Sequence, residues 1–475
     1  MTKREGNVPC PPYTLISLLC PVVFLFIFRG RSWPNIYFIL YYFHPLFDIE
    51  IGFGSFPCFS TGNCKFNLIL TFAITSINID KPIPTQALIL AGGRGTRLAP
   101  ITDAIPKPMI RFHGKPFLEY LIEMLRDQGF KKILLLLGYL PEKIQEYFGD
   151  GNKWGLSIGY SVSPVEYETG LRLKIARHQI DPVFLLMYCD NYWPMNFDSM
   201  WNQFTSSGAI AQITVYRNTD KYTKDNIQVD ADNYVTIYDK SRTEPNLQGV
   251  DIGFIILKND VVDLLPDENI SFEKYIYPEL VRKRQLGAYI TDHRYYSVGS
   301  HERLSMTSDF LARTPTIFLD RDGVLNKKMP RAQYVCSWKD WSWLPGAKKA
   351  LALLKEAGYR VILITNQPGI ARRFMTEEDL SAIHQRMIDE VRSAGGEIFA
   401  IYHCPHGWDD GCECRKPRPG MLFNAQRDHH IDLSRTYFIG DDERDTEAGI
   451  AAGCKTLSVL DDMPLQKIVR NMLGK

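Results

Sequence analysis

From residue 86 onward, short apolar runs alternate with amphipathic segments, and few folds accommodate that pattern. Parallel strands joined by helical crossovers do, because strands covered on both faces read as unbroken apolar runs. ALILA (87–91), KKILLLLG (131–138) and PVFLLMYCD (182–190) predict buried strands; between the first two, FLEYLIEMLRDQG predicts a helix stopped by Gly129. A second series starts at Thr316. TIFLD, YRVILITN and TYFIGDD predict strands ending in polar residues, and GAKKALALLKEAG predicts a helix with an apolar stripe at Ala347, Ala350, Leu351 and Leu354. The chain of 475 residues is about three times the ~150 of a typical domain, so two α/β bodies are expected, over residues 84–307 and 315–475. The join falls within residues 306–315, short enough that the bodies should touch, and there is no internal repeat or low-complexity linker. Ligands of doubly wound sheets gather beyond the carboxyl ends of the strands.

Residues 1–83 differ in character, with few charges and crowded aromatics (FLFIF, IYFILYYF). TLISLLCPVVFLFIF resembles a short signal core but falls short of the ~20 apolar residues that span a bilayer. Cys10, Cys20, Cys58 and Cys64 lack metal-ligand spacing. A membrane anchor, a poorly ordered appendage and an upstream reading-frame extension all remain open, and no function is assigned to this leader.

Charge narrows the partners. The 55 Lys+Arg are balanced by 54 Asp+Glu, without the basic surplus that gripping nucleic acid requires. Ten cysteines are too sparse for a disulfide framework, and Cys404, Cys412 and Cys414 fall close together, which points to metal in a reducing, cytoplasmic compartment.

In LAGGRGTRLAPITDAIPKP, Gly92, Gly93 and Gly95 permit close approach of backbone N–H groups to a phosphate chain, and Arg94, Arg97 and Lys107 can neutralise it. The string lacks the Gly-Lys-Ser/Thr of the Walker loop and the spaced glycines of dinucleotide folds; by themselves the glycines fit a tight turn about as well. As a whole, Thr96 included, it resembles the signature of the sugar-1-phosphate nucleotidyltransferases. The resemblance implies in-line attack of a sugar 1-phosphate on the α-phosphorus of a nucleoside triphosphate. It also implies that Arg97 and Lys107 activate the triphosphate, Asp190 holds Mg²⁺, and Asp239 and Lys240 lie near the sugar, facing a strand at Gly249 to Gly253. Two departures stand out. YETGLRLKIA replaces a Leu-Gly-Thr-Ala-Gly loop, keeping Thr169 and Gly170, and Ser297 stands where the family has a second metal aspartate. A hydroxyl is a poor ligand for a hard cation. Either Asp190 and the nucleotide suffice, or Asp251 or Asp292 substitutes, or the domain is impaired.

In the second series, Asp320 ends a strand and Asp322 follows within the turn of TIFLDRDGVLN. Paired carboxylates alone fit an exposed turn, but Thr365-Asn366, Lys416 and Asp441 occupy comparable positions. The four segments resemble the motifs of the haloacid dehalogenase-like phosphatases. The resemblance implies Asp320 as nucleophile, Asp322 as acid and base, and Mg²⁺ on Asp320, the Asp322 backbone carbonyl and Asp441. Thr365, Asn366, Arg415 and Lys416 are then expected at the phosphate. Asp442 and Asp445 fit either the metal site or the cap of a helix starting near Thr446.

CPHGWDDGCECRKP supplies Cys404, His406, Cys412 and Cys414, a set suited to closed tetrahedral zinc, although its one-residue gaps are tight and a coincidental loop stays open on spacing alone. The arrangement, with ITNQPGIARR, resembles the D-glycero-D-manno-heptose 1,7-bisphosphate 7-phosphatases, whose zinc is structural. Arg373 replaces a glycine of that pattern, and the loop from His406 to Cys412 is shorter. His403, His429 and His430 lie outside the pattern and are expected to be solvated or core histidines.

Both resemblances imply Rossmann-like folds. Together they imply a bifunctional enzyme that removes the 7-phosphate of a heptose bisphosphate and then adds a nucleotide, with GTP favoured, to the heptose 1-phosphate. Such sugars feed surface polysaccharide assembly. A histidinol-phosphatase-like enzyme and an active phosphatase beside a silent sugar-phosphate-binding domain are the alternatives.

Overall fold

The computed structural model describes residues 83–475 and, in the leader, the backbone of three antiparallel strands, Val23–Phe28, Asn35–Tyr42 and Gly54–Pro57. The remainder of the leader, on which the anchor and appendage readings turn, lies outside the described residues. Among the described residues no helix is long and apolar enough to cross a membrane.

Seven strands build the first sheet: β1 (Gln86–Ala91), β2 (Lys132–Leu137), β3 (Ser157–Val162), β4 (Val183–Tyr188), β5 (Ala211–Tyr216), β6 (Val250–Lys258) and β7 (Leu286–Thr291). Their order is β7-β5-β6-β4-β1-β2-β3. Ala87, Ile89 and Ala91 face one hydrophobic cluster, while Leu88 and Leu90 face another. Two covered faces explain why β1 reads as a continuous apolar run. The sheet departs from all-parallel expectation at β6, which runs antiparallel to both neighbours. The chain between β5 and β6 contains a hairpin, Ile227–Val229 with Val235–Tyr238, and no helical crossover, so it returns in the opposite direction. The expected helix spans Phe117–Asp127.

The second sheet is wholly parallel: β8 (Thr316–Leu319), β9 (Arg360–Asn366), β10 (Ala400–Cys404), β11 (Tyr437–Gly440) and β12 (Lys455–Ser458), in the order β10-β9-β8-β11-β12. Ile317 and Leu319 face one cluster and Phe318 the other. The helix Ala347–Glu356 buries all four residues of its stripe. The helix after β11 begins at Glu443, three residues before its expected start, because Asp442 accepts from the Arg444 N–H and Asp445 completes a reciprocal cap.

The helix His301–Leu311 closes the N-terminal body, and β8 starts at Thr316. The two bodies touch: Arg435 pairs with Asp127 at 3.7 Å, and the Leu433 N–H donates to His293 Nε2 at 3.5 Å. Residues 80–475 form one compact unit.

Candidate active sites

Beyond the carboxyl end of β1, Gly92, Gly93 and Gly95 border a cleft of about 300 Å³, also lined by Lys107, Tyr167, Thr169, Arg172 and Asp190. The three glycines serve different ends. Gly93 has open space where a side chain would go, so its backbone faces the cleft freely. Gly95 sits at φ +70°, and a Cβ there would lie 2.9 Å from Lys107 Cβ. Gly92 packs against Arg172, whose Cζ would be 2.4 Å from a Cβ at that position.

Asp190 follows β4, and Lys107 Nζ lies 2.7 Å from its Oδ2. Burial opposes both charges, but each partner more than offsets that cost: Asp190 is held below the usual carboxylate range and Lys107 above its own. Arg97, though exposed, adds to the field that keeps Asp190 ionised. Arg94 pairs at the surface with Glu166 at 3.6 Å, and Thr96 opens the short turn Thr96–Leu98. One carboxylate already engaged by lysine is no closed cage for a cation. It does fit Mg²⁺ that arrives on a triphosphate, since that ion takes one or two carboxylates plus phosphate oxygens.

Ser297 lies beside this carboxylate. Its strand, Tyr296–Ser297, pairs with Asn191–Tyr192, and the Val298 N–H donates to the Asp190 carbonyl at 2.9 Å. Arg303 Nη1 approaches the Ser297 hydroxyl at 3.4 Å, so a cation occupies the neighbourhood of the missing aspartate. Neither suggested substitute is free: Asp292 pairs with Arg217 at 3.0 Å, and half-buried Asp251 accepts from the Gly253 N–H at 2.9 Å and faces Glu273, Tyr277 and Lys240. Lys240 pairs with Glu273 at 3.6 Å. Asp239 is half-buried and spends its carboxylate on Ser241, Thr243 and Glu244 of its own turn.

The second site is crowded with carboxylates. Asp320, Asp441 and Asp445 each offer an oxygen, all within 4.8 Å of one another. Lys416 Nζ is 2.8 Å from Asp320 Oδ1 and 2.6 Å from Asp445 Oδ1, and also donates to the Ile364 carbonyl at 2.8 Å. Burial pushes Asp320 up to about 7; Lys416 pulls the other way, while Asp445 and Asp322 add to the rise. Asp441 is also raised by burial, against the pull of Lys328, and its Oδ1 is buried without a hydrogen-bond partner. Three close carboxylates with one orphaned oxygen fit a hard divalent cation. Asp445 thus serves both the cap and this cluster, whereas Asp442 caps its helix and pairs with Lys328 at 3.1 Å.

Asp322 is held differently. Arg321, fully buried, donates to it at 2.9 Å, Asn326 at 2.8 Å and Gln367 at 2.8 Å. Burial opposes the Asp322 charge, but these donors prevail and lower its pKa. Thr365 Oγ1 accepts from Gln367 at 2.9 Å, and Asn366 pins the Lys416 backbone through two hydrogen bonds of 3.1 Å. Arg415 donates to the His406 carbonyl at 3.2 Å and lines a pocket of about 530 Å³ that reaches Asp322.

Cys404 at the end of β10, His406, Cys412 and Cys414 converge. Cys404 Sγ lies 3.7 Å from Cys412 Sγ and 3.4 Å from Cys414 Sγ; His406 Nδ1 lies 3.2 Å from Cys414 Sγ. Tetrahedral zinc with bonds of about 2.3 Å places sulfurs about 3.8 Å apart, so the donor set and spacing fit that ion. Arg373 adopts φ +60°, the left-handed region that favours glycine. Of the remaining histidines, His403 bonds Glu377 at 2.9 Å and His429 bonds Tyr402 at 3.2 Å.

Sequence reasoning missed Arg172, Arg321 and Lys328. Arg172 is buried and donates to the carbonyls of Leu137, Pro164, Val165 and Tyr167 and to Ser163 Oγ. Nothing in its neighbours along the chain signals that role. Lys328 Nζ reaches Asp441 at 2.7 Å. Arg321, between the two aspartates, carried a readable signal in its position.

Residues 86–314 match the family model described as nucleotidyl transferase, and residues 413–467 match a HAD-hydrolase-like model. The chain is 42% identical over 143 residues to D-glycero-beta-D-manno-heptose-1,7-bisphosphate 7-phosphatase of Pseudomonas aeruginosa, covering 30% of this chain and 79% of that protein. It is 44% identical over 138 residues to the enzyme of the same description from Bordetella bronchiseptica, covering 29% and 76%. Among solved structures, HddC from Yersinia pseudotuberculosis complexed with GMP-PN is similar at 27% identity, covering 48% of this chain and all of that one, with a TM-score of 0.42. D,D-heptose 1,7-bisphosphate phosphatase from B. bronchiseptica, complexed with magnesium and phosphate, matches at 36% identity, covering 34% and 98%, with a TM-score of 0.32.

Proposed function

Because this chain belongs to the family of D-glycero-β-D-manno-heptose-1,7-bisphosphate 7-phosphatases and carries a nucleotidyl transferase domain, we propose a bifunctional enzyme of nucleotide-activated heptose synthesis. Its C-terminal body removes the 7-phosphate of heptose 1,7-bisphosphate. Its N-terminal body then joins a nucleotide to the remaining 1-phosphate. The carrying observation is that one chain holds two chemically distinct phosphate centres: the Asp320–Lys416–Asp445 cluster beside Asp322, and the glycine loop beside Lys107 and Asp190.

In the first reaction an Asp320 carboxylate oxygen attacks phosphorus and the bond to the sugar oxygen breaks. Asp322 protonates the departing alkoxide, then takes a proton from the water that attacks the aspartyl-phosphate, releasing inorganic phosphate and restoring Asp320. The donors around Asp322 keep it ionised in the free protein; an arriving phosphate dianion favours its protonated form, so the acid role belongs to the complex. Asp320, the Asp322 carbonyl, Asp441 and Asp445 would hold Mg²⁺, which would supply positive charge favouring the ionised Asp320 and offsetting its repulsion from the phosphate. Thr365, Asn366, Lys416 and Arg415 orient the phosphoryl oxygens. Cys404, His406, Cys412 and Cys414 would hold zinc, which would fix the loop before Lys416.

In the second reaction an oxygen of the sugar 1-phosphate attacks the α-phosphorus, the bond to the β-phosphate breaks, and pyrophosphate leaves. No proton transfer is needed, so positioning and charge carry the catalysis. Lys107 and Arg97 face the triphosphate, Asp190 would hold Mg²⁺ arriving with it, and Lys240 lies toward the sugar on the turn that Asp239 braces. GTP is the nucleotide we favour, on the resemblance of the loop. Ser297 beside Arg303 favours the silent-domain alternative. One assay decides: a protein beginning near residue 84, given heptose 1,7-bisphosphate, Mg²⁺ and each nucleoside triphosphate in turn, is followed by product mass. Nucleotide-heptose formed with GTP supports the reading; phosphate release with no nucleotide sugar from any triphosphate supports a silent domain.

A further inference from the structure

Gln426 belongs to neither site, yet it ties one to the other. It lies on the helix Gly420–His429, a few residues beyond Lys416, and is fully buried. Its amide is spent outside its own body. Nε2 donates to the Tyr296 hydroxyl at 2.9 Å, and Oε1 accepts from the Arg294 backbone N–H at 3.2 Å. A backbone N–H can only donate, so the amide orientation is fixed and Nε2 is left to face the phenol. Around this pair, Arg294 Nη1 donates to the Arg427 carbonyl at 3.2 Å, Tyr296 stacks on Phe310 at 3.9 Å and meets the His430 ring edge-on.

Tyr296 sits on the two-residue strand that pairs with Asn191–Tyr192, and the next hydrogen bond along, from the Val298 N–H, lands on the Asp190 carbonyl. So short a ladder has few bonds of its own and depends on external support. Thr307 supports it from the same body, donating to the Ser297 carbonyl at 2.8 Å, and Gln426 supports it from the other. We infer that Gln426 is a positioning residue for nucleotidyl transfer, supplied by the phosphatase-like body of the same chain: it fixes Tyr296 and, through the Tyr296–Val298 backbone, the placement of Asp190. The inference rests on the proposed reading of the N-terminal body. Transfer then requires the C-terminal body as a buttress and is indifferent to its chemistry. An apolar residue of similar size fills the same space but leaves the Arg294 backbone N–H buried without its acceptor, and leaves the phenol only His430 Nδ1 at 3.4 Å.

The test uses the whole chain with Gln426→Leu, Tyr296→Phe and the double variant. Each single variant is expected to lower kcat for nucleotidyl transfer to heptose 1-phosphate about tenfold, with KM for the triphosphate and the rate of phosphate release unchanged within about twofold. The double variant should be no worse than either single one, because both remove the same link. Phosphate release also reports that the helix carrying residue 426 is folded. Transfer unaffected by Gln426→Leu, phosphate release falling in parallel with transfer, or losses that multiply in the double variant would each overturn the inference. A wild-type protein that transfers no nucleotide from any triphosphate defeats instead the reading on which it rests.

Discussion

The two phosphate centres solve opposite electrostatic problems. The N-terminal cleft places one aspartate among Lys107, Arg97 and the buried Arg172; the C-terminal site crowds Asp320, Asp322, Asp441 and Asp445 around Lys416. On the proposed function, the difference follows the origin of the nucleophile. Where the substrate brings its own anionic oxygen, the protein need only gather positive charge around a polyanion. Where the protein supplies the nucleophile, it must hold carboxylates together against their repulsion, which Lys416 offsets and a divalent cation would offset further.

The most severe way to break this contrast is Asp320→Asn, which removes the protein's own nucleophile. Phosphate release should fall by on the order of 10⁴-fold or more, with transfer to supplied heptose 1-phosphate intact. Loss of both activities would mean that the centres are not separate. Lys107→Ala is the converse: loss of a preorganised cation should cost transfer about 10²- to 10³-fold and leave phosphate release unchanged, as read by product mass.

A smaller effect is expected at the cysteine cluster. Cys412→Ser should abolish bound zinc by elemental analysis, lower the thermal midpoint by about 5 °C and slow phosphate release about tenfold, because the loop before Lys416 loses its anchor. Unchanged zinc content would remove the assignment.

The smallest effect concerns Asp251, which burial pushes up to about 7 with Glu273 adding to the rise. Its folded pKa exceeds the unfolded value, so the folded chain keeps a proton that the unfolded chain releases. The stability this group contributes is therefore whole at acid pH and is lost as pH rises through about 7. Asp251→Asn should flatten the dependence of the melting midpoint on pH between about 4 and 7, and raise the midpoint at pH 8 by about 2 °C. An unaltered slope would show that the carboxylate is not buried as a neutral acid.

Periodicity and strand-end chemistry carry information along the chain, and those features were legible. The β1 run, the stripe at Ala347, Ala350, Leu351 and Leu354, and the convergence of Asp320, Asp441 and Lys416 beyond parallel strands all follow from local pattern. What depends on close tertiary approach was hidden. Arg172 stands on a helix like any surface arginine, and only the loop folded over it turns it inward. Lys328 reaches Asp441 across 113 residues, and Gln426 reaches Tyr296 across 130. The reversed β6 escaped for a related reason: an apolar run does not disclose its direction, which the preceding connection determines.

The packing of Arg172 against Gly92 and Gly138 has a consequence for how this cleft can vary. A Cβ at residue 138 would come within 2.6 Å of the same guanidinium and of the Gly92 carbonyl, so all three positions interlock. Neither glycine tolerates a larger residue while the arginine remains, and a smaller residue at 172 takes a donor from five oxygens, of which the Leu137 and Pro164 carbonyls keep a backbone N–H. Remodelling this wall one substitution at a time passes through damaged intermediates. Natural drift or a designer reaches a new solution only by changing the trio together.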